Sequence, residues 1–211
     1  MVKKTKTGQY DKKTEILEAS IPMFAAYGYN KVTIREIGAA AGVTSAALYY
    51  HFSDKQTLYR EALKYSFRSK AEISHQILSS DGDPAERLSR FIDRYTQLLA
   101  DDPDFRRVMQ RELLDGNEVS VGMLSELFQD PFNELAEIVQ TLAPEADVHM
   151  QIMSIIAMIL YHFEVGPLRR MLPGSKKEHE DYHTLAAHIN HLIFAALEGT
   201  KKSPELREGP S

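Results

Sequence analysis

The 211-residue chain contains no cysteine, and this absence excludes several classes of protein. Without thiols it forms neither a disulfide-stapled secreted scaffold nor a thiolate metal site, and it has no cysteine nucleophile. Long apolar runs are also missing, since the longest, Ile155–Tyr161, is far shorter than the ~20 residues of a membrane-spanning helix. The polar, lysine-rich start, Met1–Lys13, lacks the apolar segment of a signal peptide. We therefore predict a soluble, cytoplasmic protein with no membrane partner.

Signals for β-strands are nearly absent as well. No window alternates apolar and polar residues between turn residues, whereas apolar residues recur at the three- and four-residue spacing of helices. The chain is 43% apolar, which is enough to bury a sizeable core. These patterns predict an all-α fold of about nine helices.

The net charge of −5 hides an asymmetry along the chain. Residues 1–60 contain nine Lys and Arg against five Asp and Glu, whereas the remainder contains 16 basic and 25 acidic residues. A basic head on an acidic body is typical of a protein whose head binds a polyanion. A lysine-rich tail that only aids solubility would give the same charge pattern, so charge alone leaves both interpretations open.

The first third of the chain predicts several short helices in close succession. Ile16, Leu17, Ser20 and Phe24 share one face of a first helix that ends at Gly28. The residues Thr33-Ile34-Arg35-Glu36 form a capping box that opens a second helix, which Gly42 ends. Thr44 or Ser45 caps a third helix, and Ser53-Asp54-Lys55-Gln56 resembles a further capping box at the start of a long fourth helix.

The second and third helices, joined through Gly42-Val43, match a helix-turn-helix. Six apolar residues are spaced to face inward: Ile34, Ile37, Ala41, Val43, Leu48 and Phe52. Small residues at the start of the third helix permit close approach to base edges, and aromatic residues follow at its end. This order is typical of a recognition helix that enters the major groove of DNA with its N-terminus first.

The motif resembles the DNA-binding domain of the TetR family of bacterial transcriptional regulators. The resemblance covers roughly residues 12–60 and rests on Thr33–Ile37, Gly42-Val43-Thr44, Leu48–Phe52 and Lys55. It implies an N-terminal three-helix, homeodomain-like domain followed by a larger helical bundle, and a ligand-responsive repressor that binds a pseudo-palindromic DNA operator as a homodimer. We expect a DNA-binding domain with a basic arm at 1–54, an effector-binding and dimerisation domain at 55–200, and a disordered tail at 201–211.

Roles for individual residues follow from the resemblance and from side-chain chemistry. Thr33, Tyr50, His51 and Lys55 are expected to meet phosphate, and Thr44, Ser45, Ala46 and Tyr49 are the candidates for base edges. Lys31 completes the set of candidate DNA-binding residues. Tyr49 and Tyr50 could instead be packing aromatics and His51 a core histidine, and the absence of Arg and Lys from the third helix makes shape readout and the lysine arm more important.

The most apolar part of the chain is predicted to mediate dimerisation. The helices near 147–164 and 179–197 carry apolar residues over much of their surfaces, which a two-fold, four-helix interface would cover. The candidate interface residues are Ile156, Leu160, Leu185, Ile189 and Ile193. Burial within a single chain is the alternative.

An effector pocket is predicted from clustered methionines and aromatics. Met109, Met123, Phe128, Met153 and Tyr161 could line a cavity for a small apolar or amphipathic effector, although methionine is also ordinary core filler. No cofactor is predicted. The pairs His179/His183 and His188/His191 have spacings that could bind zinc, but they point in different directions, so we assign no metal and no catalytic residue. An all-α enzyme or metal-binding protein that uses the His and Glu groups of the body remains the alternative function.

Overall fold

The computed structural model describes residues 8–116 and 118–200, with the side chains of 12–199 except 117 and 119. The start of the predicted lysine arm, residues 1–7, and the predicted disordered tail, residues 201–211, therefore lie outside the described residues. The described part is all-α, which confirms the predicted fold class, and contains no strand. Its helices are α1 (Gly8–Lys31), α2 (Ile34–Ala40), α3 (Ser45–His51), α4 (Lys55–Leu78), α5 (Pro84–Asp101), α6 (Pro103–Asp115), α7 (Glu118–Leu142), α8 (Val148–Glu164), α9 (Gly166–Met171) and α10 (Tyr182–Thr200), with a 3-10 turn at Lys177–Glu180.

A missed helix and a different helix cap distinguish the structure from the sequence prediction. The prediction missed α9, a six-residue helix that is too short to show a periodic apolar pattern. The cap of α4 is Asp54, whose carboxylate accepts from the Thr57 amide at 2.6 Å, and this replaces the predicted box that begins at Ser53. Gly28 ends the regular part of α1 as predicted, with a φ of 75°.

The helices form two compact units, and these differ from the predicted division at residue 54. The first comprises residues up to 69 together with 103–127, and the second comprises 70–102 and the residues from 128 onward. Helices α4 and α7 contribute to both. The predicted assignment of functions to 1–54 and 55–200 is a separate matter, and it stays a prediction.

The core of the first unit is built around α1. Ile16, Leu17 and Phe24 are buried against residues of α2, α3 and α4, and among these Ile37 and Leu48 are at most 1% exposed. Helix α6 packs on α1 within the same unit. The six residues that were predicted to face inward from the helix-turn-helix are all buried or partly buried in this cluster. Their burial holds the outer face of α3 toward solvent.

The core of the second unit centres on α5 and α10. Helix α5 buries Leu88, Phe91, Ile92, Tyr95 and Leu99 along one face, and α10 packs against both α5 and α8. Asn190 on α10 donates to Asp93 on α5 at 2.9 Å. No helix of the described chain is both long and apolar enough to cross a membrane.

Candidate nucleic-acid interface

The turn between α2 and α3 depends on two glycines. Gly42 has a φ of 66°, in the left-handed region that glycine adopts without strain. The Val43 amide donates to the Gly38 carbonyl at 2.8 Å and closes the turn. A β-carbon at Gly38 would lie 2.8 Å from the Val43 carbonyl oxygen, which is closer than side chains tolerate. The approach of α3 to α2 is therefore set by backbone contacts that only glycine permits.

Side-chain caps fix where the two helices begin. The Thr33 hydroxyl and amide donate to the Glu36 carboxylate at 2.7 and 2.8 Å, and the Thr33 oxygen accepts from the Glu36 amide at 3.3 Å. This confirms the predicted capping box. The hydrogen bonds from the Thr33 side chain, and then its backbone, lower the pKa of Glu36. At α3 the Thr44 oxygen accepts from the Ala47 amide at 3.2 Å, so Thr44, and not Ser45, is the cap.

The outer face of α3 exposes most of the residues that were predicted to touch DNA. Tyr50 is 72% exposed and Tyr49 54% exposed, which removes the alternative that they are core aromatics. Ala46 is exposed, and Ser45 and His51 are partly exposed. The face thus presents small side chains at the start of the helix and aromatic ones at its end, as a recognition helix requires.

Lys55 is positioned by an aromatic side chain that the sequence analysis did not single out. Its ammonium lies 4.4 Å from the centroid of the Tyr29 ring, within the range of a cation–π contact. Tyr29 in turn packs against Tyr59, with ring centroids 5.1 Å apart. Lys31 is exposed in the last turn of α1. The DNA contacts of Lys31 and Lys55 stay predictions.

Two residues of α6 bind the same part of the first unit. Arg111 donates to the carbonyls of Ala25 and Ala26, both at 3.2 Å, just before α1 breaks at Gly28. Glu112 is only 3% exposed, and it accepts a hydrogen bond from the Tyr59 hydroxyl. Burial and this carboxylate raise the pKa of Tyr59 far above its usual value. These pairs are separated by 53 to 86 residues, so no local pattern could have assigned them.

The residues predicted to form an effector pocket have different environments. Met109 is buried on α6, and Met123 and Phe128 are partly buried on α7. Met153 and Tyr161 are 45% and 67% exposed on α8. Such exposure does not fit the lining of an internal cavity, so these two residues are withdrawn, and the pocket stays a prediction for the other three.

The structure covers the α10 residues of the predicted dimer interface within the single chain. Leu185, Ile189 and Ile193 are 7%, 0% and 3% exposed in the single chain, because α10 packs on α5 and α8. A side chain that its own chain already covers is not available to a partner. Ile156 and Leu160 on α8 are partly buried. For the three residues of α10, this burial favours the alternative of burial within one chain, and the interface itself stays a prediction.

The helix-turn-helix and the helical body of the chain each match a family of known proteins. The family model for bacterial regulatory proteins of the tetR family matches residues 16–62. The model for the C-terminal domain of the HTH-type transcriptional dual regulator CecR matches residues 84–200, more than half of the chain. The transcriptional regulator AcrR of Shigella flexneri is 31% identical over 93 residues, which are 44% of this chain and 43% of AcrR. The chain thus spans less than half the length of the curated relatives it matches.

Solved structures share the fold over most of the chain. The fatty acid degradation regulator FadR from Bacillus halodurans has a TM-score of 0.71 at 18% identity, covering 97% of this chain and 100% of FadR. AibR in complex with isovaleryl coenzyme A and operator DNA has a TM-score of 0.69 at 18% identity, covering 87% of this chain and 98% of AibR. With family models matching both the helix-turn-helix and the helical body, the chain belongs to the TetR family of bacterial regulatory proteins.

Proposed function

We propose that the protein is a ligand-responsive repressor that binds a pseudo-palindromic DNA operator in the cytoplasm as a homodimer. The observation that carries this proposal is the exposed outer face of α3, with small residues first and Tyr49 and Tyr50 after them, on a helix-turn-helix whose core is buried. Lys55 and Lys31 supply positive charge beside that face. Members of the family are named as regulators of transcription, which favours this function over the enzyme considered above.

Selection of DNA by the purified protein tests the proposal directly. Genomic fragments retained by the full chain are sequenced and searched for an inverted repeat. A two-fold symmetric protein should enrich two half-sites whose spacing matches one helical turn of DNA or a multiple of it. The matched control is Tyr49→Ala, which alters the predicted base-reading face and should change or abolish the enriched sequence. A pool with no enriched motif would refute the proposal.

An exposed apolar stripe supports the proposed dimer. Met150, Met153 and Tyr161 recur at helical spacing along the outer face of α8, and each is at least 45% exposed. Leu192 on α10 is 38% exposed. An apolar stripe of this kind is a candidate for a self-complementary two-fold contact. These residues replace the buried residues of α10 in our proposal for the interface.

The effector is proposed to act through α6. Met109, a residue of the remaining predicted pocket, lies on the same helix as Arg111 and Glu112 and two residues before the first of them. Arg111 holds the end of α1, and Glu112 binds Tyr59 on α4, so a shift of α6 would displace the supports of Lys55. A small apolar or amphipathic effector that favours the shifted state would release the operator. The solved complex of AibR, a protein of the same fold, contains both a small molecule and operator DNA.

Reciprocity of binding supplies the test of the effector proposal. Any true effector must bind the operator complex more weakly than the free dimer, by the same factor by which it weakens operator binding. Compounds that stabilise the free protein to heat are therefore titrated with and without operator. Equal affinity for the two forms in every hit would refute the pocket.

A further inference from the structure

The second unit contains a cavity that has no part in the function proposed above. It lies between α8, α9, the 3-10 turn and α10, and its volume is about 390 Å³. This lies within the range of small-molecule sites, ~300–1,000 Å³. Most of its wall is apolar, and its lining residues are His162, Arg169, His179, Thr184, Leu185 and His188. None of the residues predicted for the effector pocket is among them.

Apart from the Thr184 hydroxyl, the polar side chains that line this cavity are cationic or can become so. Arg169 is permanently charged, three imidazoles accompany it, and among the residues that the structure describes no carboxylate lines the wall. The acidic residues nearest in sequence have other partners. Glu180 pairs with the guanidinium of Arg170 at 3.4 Å, and the Asp181 carboxylate accepts from the amide and hydroxyl of Thr184 at 2.9 and 3.0 Å. The charge of Arg169 therefore faces a cavity without a counterion on its wall.

Arg169 also has an unsatisfied donor. Its Nε is buried, and no residue in the described chain accepts a hydrogen bond from it. A buried donor without an acceptor is unfavourable, and more so in a charged group. The planar fork of a guanidinium matches the two oxygens of a carboxylate. Because Arg169 lines the cavity, an acceptor that enters it would meet a guanidinium with an unused donor.

The histidines complete a polar end to the cavity. The rings of His162 and His188 are nearly perpendicular, with centroids 6.0 Å apart. Burial, and then the charges of Arg169 and His188, lower the pKa of His162. His162 in its neutral form still donates one hydrogen bond without adding like charge beside Arg169. The histidines are not arranged as metal ligands, since the described residues contain no group of three or more side chains able to hold a metal ion.

We propose that this cavity binds an organic carboxylate with an aliphatic tail, the carboxylate on Arg169 and the tail along the apolar wall that includes Leu185. The charge requires an anion, and the apolar wall disfavours a small inorganic one, because such an ion would be dehydrated without filling the space. The inference goes beyond the proposed repressor function and does not depend on DNA binding. It can therefore fail or succeed independently of that function.

Calorimetric titration of the full-length protein with octanoate tests the site. Octanol, which has the same tail without the charge, and inorganic phosphate, which has charge without a tail, are the comparison ligands. Octanoate should bind at least tenfold more tightly than octanol, which corresponds to about 1.4 kcal/mol, and phosphate should not bind measurably. Equal binding of octanoate and octanol, or binding of phosphate as tight as that of octanoate, would overturn the proposal.

Two neighbouring arginines provide a matched pair of variants. Arg169→Met keeps the unbranched stem and removes the donor, so octanoate affinity should fall at least tenfold. The double variant Arg170→Met/Glu180→Gln removes the neighbouring ion pair, neither member of which lines the cavity, and should leave octanoate affinity unchanged. Octanoate affinity that is the same in both variants would show that the ligand binds elsewhere.

The nuclear magnetic resonance signals of the histidine rings provide a second test, and this test is read on the folded wild-type protein. Signals of His162 and His188 are assigned by His162→Gln and His188→Gln and followed during titration with octanoate. Both signals should shift with the same apparent affinity as the calorimetric titration, whereas His75, which pairs with Glu134 at 2.7 Å, should not move. If saturation with octanoate leaves both signals in place, the assignment of the cavity is wrong, whatever the folding behaviour of the arginine variants.

Discussion

Replacement of Gly38 by alanine should push apart α2 and α3, the two helices of the helix-turn-helix. The added β-carbon would lie 2.8 Å from the Val43 carbonyl oxygen and 3.3 Å from Leu48 Cδ1. Ordinary contacts begin near 3.4 Å, so α3 must move by about half an ångström or the turn must open. The obstructing atom belongs to the backbone of a closed turn, which cannot swing away as the end of a flexible side chain can.

The expected magnitude is the difference of two opposing effects. Alanine in a helix interior gains about 1 kcal/mol over glycine. Overpacking costs about 1–3 kcal/mol, and the upper end applies here because the contact is with backbone. The free energy of unfolding should therefore fall by about 2 kcal/mol, and the unfolding midpoint by roughly 4–8 °C for a chain of this size. Operator affinity should fall more than tenfold, because base contacts depend on the position of α3.

Gly122 provides the matched control for this experiment. It lies in α7 within the first unit, and a β-carbon there would meet no atom within 4 Å. Gly122→Ala should therefore gain up to about 1 kcal/mol and leave operator binding intact. Thermal unfolding and operator titration of both variants decide the matter. A Gly38→Ala protein that is stabilised like Gly122→Ala and binds operator as the wild type does would refute the predicted clash with the turn.

Four further predictions follow from single contacts. Lys55→Ala should weaken operator and random DNA alike and lower the salt slope by about one unit, whereas Lys177→Ala, exposed in the second unit, should do neither; a changed sequence preference would contradict the phosphate role. Tyr161→Glu should shift sedimentation toward monomer while the circular dichroism keeps its helical signal, and a fully dimeric variant would disprove the proposed stripe. Arg111→Met should keep effector binding but reduce the factor by which effector weakens operator binding, measured by titration with and without DNA. Burial raises the pKa of Tyr95 to about 12, so the neutral phenol contributes stability below pH ~10 that is lost as pH rises toward ~12; urea unfolding should show a loss of about 1 kcal/mol at pH ~11, absent in Tyr95→Phe.

Much of the candidate site could be predicted from the sequence because its signals are local. The capping box at Thr33–Glu36 and the glycine at position 42 act through hydrogen bonds and dihedral angles within a few residues. Helical spacing also predicts the six apolar residues that face inward from the helix-turn-helix. The structure shows all six buried or partly buried, as predicted. The cap of α4 was predicted one residue too early because Ser53 and Asp54 are both residue types that cap helices well. Only the geometry of the folded chain selects Asp54.

Contacts between distant residues were beyond the reach of the sequence. Arg111 meets the end of α1 across 85 and 86 residues, and Glu112 meets Tyr59 across 53, so nothing in their local patterns identifies the partners. The cavity at Arg169 joins residues of four separate elements, one of which, α9, has too few residues to produce a periodic signal.

The apolar helices of the second unit show most clearly what tertiary structure decides. An apolar stripe in a sequence predicts that one face of a helix will be buried. It does not specify whether the same chain or a partner chain buries that face. Leu185, Ile189 and Ile193 form such a stripe, and α10 buries it within its own chain, whereas Met153 and Tyr161 on α8 are left at the surface. The sequence by itself determined most of the helices, most of their caps and the family resemblance of the helix-turn-helix. Only the packing of the chain on itself decided which apolar face remained for a partner, because burial depends on all the elements that compete for the same surface.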